Sequence, residues 1–216
     1  MRVRLVVMIS IVVMSVIAGG VTLAQAASAL VLEMSGPAIP DLQPYSEIPP
    51  DKTISLPSGA RLVFLHYKTC RTVTVVGGTI TFGIWKYNIT GGTKELEVET
   101  PCPRQVALKS GGELAGTLLR NLLVLSIQPT FVVVGERAGN MASVRVSKGD
   151  KIVLEAPLEG RHFSWPAGAA SLAVNSEYNL ALIPSAAGAT PVTMKFKAVT
   201  PPRDPTKKAL TVIRVE

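Results

Sequence analysis

Histidine is nearly absent from this chain: two in 216 residues, His66 and His162. That scarcity restricts catalysis, because a serine or cysteine nucleophile needs a base to orient and deprotonate it. His66 lies inside an apolar strand pattern, and His162 in Arg161-His162-Phe163-Ser164-Trp165. Ser164 follows His162 at i+2, the spacing of neighbours on one strand face and not of a strained nucleophile elbow. Neither Gly-x-Ser-x-Gly nor Ser-x-x-Lys occurs. Cysteine is equally scarce, with Cys70 and Cys102 alone. They form no Cys-x-x-Cys, and with two distant histidines they do not supply a zinc site. Aspartate is rare and no Asp-x-Asp calcium loop appears. The reading is therefore no catalytic residue, no metal and no cofactor.

Acids are outnumbered, 15 against 22 Lys and Arg, for a formal charge of +7. The basic residues are scattered and build no dense stripe of the kind nucleic acid selects, so no nucleic-acid partner is expected. Glu95, Glu97 and Glu99 alternate and would share one face of a strand whose other face is Leu96 and Val98. Such a row reads as a solvated, charge-protected sheet edge. Apart from one segment, long apolar runs are also missing, so no second membrane span follows.

That one segment opens the chain. Arg2 and Arg4 precede an apolar run from Leu5 to Leu23, and Ala24-Gln25-Ala26 and Ala27-Ser28-Ala29 follow. A positive start, an apolar middle and Ala-x-Ala sites make residues 1–29 a secretory signal, cleaved after Ala26 or Ala29. The alternative is an uncleaved anchor over 5–23, since spanning takes about 20 residues. A membrane association is expected only if that segment is retained. Cleavage would remove two arginines and no acid, lowering the formal charge from +7 to +5. The product would be periplasmic or secreted, and in that oxidising compartment Cys70 and Cys102 read as a structural disulfide.

Proline and glycine punctuate the rest, and the apolar stretches between them are short and β-branched, which favours strands. Residues 36–50 hold five prolines and read as an extended arm over the fold or a mobile leader. Beyond them, Gly77-Gly78 reads as a two-residue turn. Val76 would then face Thr79, Val75 would face Ile80 and Val73 would face Phe82, with Thr74 and Thr81 paired on the other face. A second Gly-Gly-Thr at 91–93 hints at a stacked or meandering unit. Residues 113–125 fit either a short amphipathic helix or a buried strand. A second strand series follows at 131–134, 143–146, 151–154, 162–165, 171–174, 178–182 and 192–196.

The expected fold is all-β: an N-terminal hairpin-rich domain over 30–112 containing Cys70–Cys102, then a β-sandwich over 113–200. An immunoglobulin-like sandwich is one form the second domain could take. Residues 201–216 read as a linker-like tail with an edge strand at 210–215. Trp85 with Tyr87, and Phe163 with Trp165, read at their alternating spacing as core residues, the alternative being an aromatic platform for a sugar or peptide; Trp85, Tyr87, His162 and Trp165 make up the candidate binding surface.

The stretches Leu56-Pro57-Ser58-Gly59-Ala60-Arg61-Leu62-Val63-Phe64 and Val73-Thr74-Val75-Val76-Gly77-Gly78-Thr79-Ile80-Thr81-Phe82 resemble the FecR-type periplasmic domain over residues 30–100. The resemblance implies an envelope β-domain that senses or relays binding through protein contact. Sensor members of that family carry a cytoplasmic segment that handles a sigma factor, whereas only Met1 to Arg4 precede the apolar run here. The expectation is an exported, non-catalytic binding or sensing module whose partner is an envelope protein or a glycan. The alternative is a periplasmic hydrolase of cell-wall or polysaccharide substrate, using carboxylates that converge only in three dimensions.

Overall fold

The computed structural model describes residues 26–108, 123–204 and 208–216. The chain is all-β there: fifteen strands and one short 3-10 turn, Ala138–Asn140. The strands form three sheets, which stack as layers.

The N-terminal sheet holds β1 (Ala29–Ser35), β2 (Glu47–Ile48), β3 (Thr53–His66), β4 (Arg71–Phe82), β5 (Tyr87–Thr90) and β6 (Thr93–Glu99). Its order is β2-β1-β3-β4-β5, with β6 also on β4. The expected Gly77-Gly78 hairpin does not form, because both glycines lie inside β4. That strand pairs with β3 over ten residue pairs, from Thr53↔Thr81 to His66↔Arg71. The rule that apolar residues meet apolar residues is satisfied there more fully than in the short hairpin. Val73 faces Phe64, Val75 faces Leu62 and Ile80 faces Ile54, while Thr81 meets Thr53, hydroxyl to hydroxyl at 3.2 Å.

The glycine pairs instead make a crease. β5 and β6 run in succession along one side of β4, at Thr79–Phe82 and at Arg71–Val76. Their break at Gly91-Gly92 therefore lies opposite Gly77-Gly78, and β3 breaks its register over the same level between Leu56 and Arg61. Gly77 and Gly78 both have positive φ, 62° and 79°, a conformation that side chains with a Cβ resist. Space forbids a Cβ as well: on Gly78 it would lie 2.3 Å from the Gly92 nitrogen, and on Gly92 2.2 Å from the Gly77 oxygen. At this crease the sheet folds over, and its halves enclose Ile54, Leu56, Ile80 and Phe82 against Leu62, Phe64, Val73 and Val75. Phe64 meets Phe82 and Tyr87 edge-on, with centroids at 4.9 and 5.1 Å.

The remaining strands build a sandwich. The middle sheet has the order β12-β9-β15-β7, from β12 (His162–Ser164), β9 (Thr130–Val134), β15 (Thr211–Val215) and β7 (Arg104–Leu108). The outer sheet has the order β11-β10-β13-β14-β8, from β11 (Lys151–Pro157), β10 (Met141–Lys148), β13 (Glu177–Pro184), β14 (Val192–Val199) and β8 (Leu123–Ser126). Phe131, Val133, Phe163, Ile213, Leu180 and Phe196 fill the space between these two sheets.

Two expectations need correction. The tail strand is not at an edge: β15 lies between β9 and β7, parallel to both, and Thr211, Val212, Ile213 and Val215 are buried. Ser171–Val174 forms no strand. Leu172 alone is buried there, while the Ala173 amide donates to the Tyr178 hydroxyl and the chain reverses at Asn175, with φ of 61°. Leu123 and Leu125 belong to a strand, and residues 113–122 lie outside the described residues.

The middle sheet has two buried faces. In β9, Phe131 and Val133 face the sandwich core, while Val132 and Val134 face Leu30 and Leu65 of the N-terminal sheet. All four β9 residues from Phe131 to Val134 are fully buried. An unbroken apolar run of this kind is what a strand covered on both sides requires.

Candidate functional site

The seam between the N-terminal and middle sheets brings together a cluster of polar groups. The proline-rich segment is an arm held to the fold, with Ile39 bridged to Ser55 in both directions and the Tyr45 amide donating to the Val31 carbonyl. Tyr45 projects across the seam and stacks on His162, with centroids 5.2 Å apart and rings 17° from parallel. Glu47, two residues on, accepts from Tyr67 Oη at 2.9 Å and from Arg214 on β15 at 2.6 Å. Burial raises the Glu47 pKa, opposed by the Arg214 charge. Burial and the adjoining carboxylate likewise drive the Tyr67 phenol upward. His162 is pushed downward by burial, against the charge of Glu159. Neutral imidazole is therefore favoured in the stack.

Two clefts flank Tyr45. One, of about 430 Å³, is walled by Leu32, Leu65 and Leu210, with Tyr45, His162 and Lys208 around it. The other, of about 400 Å³, lies between Gln43, Pro44 and the Glu159–Arg161 turn. The first cleft continues along the sheet face. Its floor includes Thr72, which pairs with Val98, and Thr74 pairs with Leu96. Leu96 and Val98 stand 53% and 42% exposed on the free side of β6.

The glutamate row of β6 does not share one face. The register shift between Thr74 and Val75 inserts a bulge at Glu95, turning Glu95 toward Arg61 at 3.5 Å. Glu97 turns to the opposite side, accepting from Lys94 at 2.5 Å, Tyr87 at 2.8 Å and Arg71 at 3.1 Å. These bonds from Lys94 and Tyr87 hold its pKa down at about 2. The extra residue of a bulge re-aims side chains in this way.

The aromatic residues singled out in the sequence occupy separate environments. Trp85 stands 68% exposed at the β4–β5 turn with the Lys68 ammonium 4.2 Å from its ring centre. Tyr87 closes the N-terminal core and donates to Glu97, a bond that together with burial drives its phenol upward. Trp165 packs against the sandwich core and donates to the Ala169 carbonyl at 3.4 Å. Only His162 joins the seam. His162 Nε2 and Ser164 Oγ are 3.5 Å apart. His66 is buried in β3, between Thr69 Oγ1 at 3.0 Å and the Gly83 carbonyl at 3.1 Å. That carbonyl can only accept, so Nε2 carries a proton.

Cys70 and Cys102 form a disulfide, with Cα atoms 4.7 Å apart. It ties the β3–β4 turn to the Pro101-Cys102-Pro103 connection that leads into the middle sheet. Tyr45, Glu47, Tyr67 and Arg214 were not recognisable from the sequence as a cluster. The one available signal was an aromatic and an acid, Tyr45 and Glu47, within an arm otherwise rich in proline. Among the described residues no three His, Cys, Asp or Glu side chains converge as metal ligands, and no helix is long and apolar enough to cross a membrane. No protein-family model, no curated protein and no solved structure matches the chain.

Proposed function

We propose that this chain is an exported, non-catalytic interaction module that binds an envelope partner along the outward face of its N-terminal sheet. The observation that carries this reading is the continuity of the seam cleft with the exposed Leu96–Val98 row, at a sheet edge that no strand among the described residues pairs. Partly exposed apolar rows beside polar rims are how protein surfaces mark contact sites. A free edge can add a partner strand through its backbone groups. The likeness to FecR-type periplasmic domains points the same way. Export is supported by the disulfide and the leader-like N-terminus. Of the two Ala-x-Ala sites, cleavage after Ala26 leaves the fold whole, since Ser28 donates to Ile48 and Ala29 begins β1.

The hydrolase alternative has the His162–Ser164 pair beside the cleft in its favour. It lacks a third group to orient the imidazole: among the described residues no side chain or backbone group bonds His162 Nδ1. Photo-crosslinking residues placed at 96 and 98 test the reading in cells. The expected result is one discrete adduct from both positions and none from position 174, which is equally exposed in the native chain. Hydrolysis of a glycan, peptide or ester by the purified chain, abolished by His162→Ala or Ser164→Ala, would overturn it.

A further inference from the structure

Among the described residues, the most exposed pair of adjacent large apolar residues lies away from that face. Ile84 and Trp85, 54% and 68% exposed, form the tip of the turn between β4 and β5. Three lysines surround them. Lys86 is next in sequence, Lys68 lies over the Trp85 ring, and Lys52 is brought alongside by the bond from the Phe82 amide to its carbonyl at 2.9 Å. Asp51 is held there too, by the bond from its amide to the Phe82 carbonyl. A tryptophan and an isoleucine projecting among lysines match a bilayer interface. The indole sits well at headgroup level, the aliphatic chain enters the acyl boundary, and ammonium groups meet lipid phosphates.

A second observation orients the same end. Ser28 lies between Ile48 and Tyr67, donating to one carbonyl and accepting from the other residue's amide. His66 Nε2 joins this turn to Gly83. The chain therefore enters the fold beside the Ile84–Trp85 tip. In the uncleaved chain only four residues separate Ser28 from Leu23, the end of the apolar run, and the five steps between them reach at most about 18 Å when extended.

We propose that this end, with Ile84 and Trp85 at its tip and Lys52, Lys68 and Lys86 around them, seats on an anionic lipid bilayer. This is independent of the outward-face reading, which concerns β6 and the cleft. A bilayer is favoured over a protein groove because Ile84 and Trp85 stand exposed at the tip of a turn with Lys52, Lys68 and Lys86 beside them.

The test uses the chain from Ala27 onward, which keeps the fold whole and removes the apolar leader, with phosphatidylcholine vesicles brominated in their acyl chains, with or without phosphatidylglycerol. Trp85 quenching is read as the difference between the parent and Trp85→Phe, which retains Trp165. Quenching is expected with the anionic vesicles, weakened by high salt. Ile84→Ser should lower partitioning about tenfold. Lys68→Glu and Lys86→Glu should each lower it by about fivefold or more. Circular dichroism of each variant establishes that loss of binding is not loss of fold. Three results would overturn the proposal: no Trp85 quenching by anionic vesicles, equal quenching by neutral ones that survives both charge reversals, or an equal emission shift with a soluble acidic polysaccharide.

Discussion

The N-terminal unit folds one sheet over its own crease, whereas the sandwich brings two separate sheets face to face. The first solution requires backbones to touch, so its critical residues are glycines with no side chain to contribute. The second leaves a side-chain layer between sheets, and its critical residues are Phe131, Phe163, Ile213 and Phe196. The middle sheet joins the two solutions, because its second face supplies Val132, Val134 and Val212 to the seam. The consequence is a preformed cleft between units, with the Glu47–Arg214 pair beneath it and the disulfide at the connection.

Breaking the crease should have the largest effect. Gly92→Val places a side chain against the Gly77 carbonyl and should cost 4 kcal/mol or more, in order of magnitude, or prevent folding. Gly188→Val in the sandwich carries a backbone strain that Gly92 lacks, φ of 79°, but has open space around it, and should cost only about 1–2 kcal/mol. Urea unfolding of the pair measures the difference; equal losses would mean the glycine pairs do not touch. Next comes the junction between units. Converting Cys70 and Cys102 to alanine removes a constraint across 32 residues and should lower stability by about 3–4 kcal/mol. A smaller effect sharpens the sandwich side. Ile213→Val, in the centre of the middle sheet, should cost about 1 kcal/mol, against less than about 0.5 for the exposed Ile152→Val.

The subtlest contrast is acid dependence. Glu97 has a folded-state pKa of about 2, below its ordinary 4.5. Its contribution is therefore complete above pH 4.5 and disappears as pH falls toward 2. Glu47 is shifted the other way, so protonation there relieves a cost instead of removing a gain. Glu97→Gln should flatten the decline in stability between pH 4.5 and 2, and Glu47→Gln should not. An unchanged acid slope in Glu97→Gln would mean the Lys94, Tyr87 and Arg71 bonds are not formed in solution.

Short β-branched stretches between turn residues were sufficient to locate β10, β11, β13 and β14; β10, β13 and β14 each bury one face, and β11 packs Leu154 and Ala156 against the core. The same logic misread Gly77-Gly78. Two left-handed glycines suit a tight hairpin and a crease equally, and only the distant Gly91-Gly92 and the break in β3 distinguish them. Leu210–Val215 was recognisable as a strand, yet its central place depends on parallel partners more than 75 residues away in β9 and 100 away in β7. The stacked Tyr45–His162 pair and the Glu47–Tyr67–Arg214 cluster were invisible for the same reason. Each joins segments whose meeting is set by the layer order, and no local spacing encodes it. The glutamates of β6 were misplaced by a single bulge, which reverses side-chain direction without leaving a mark in composition.

The account rests on the middle sheet welding both units into one body. Amide hydrogen exchange along β9 and β15 measures this directly. Val132, Val133, Val134, Val212 and Ile213 should exchange only through global unfolding, at the same slow limit as Phe64 and Val73 in the N-terminal core. Exchange of β9 and β15 well ahead of those strands, accompanied by two separate unfolding transitions, would contradict it.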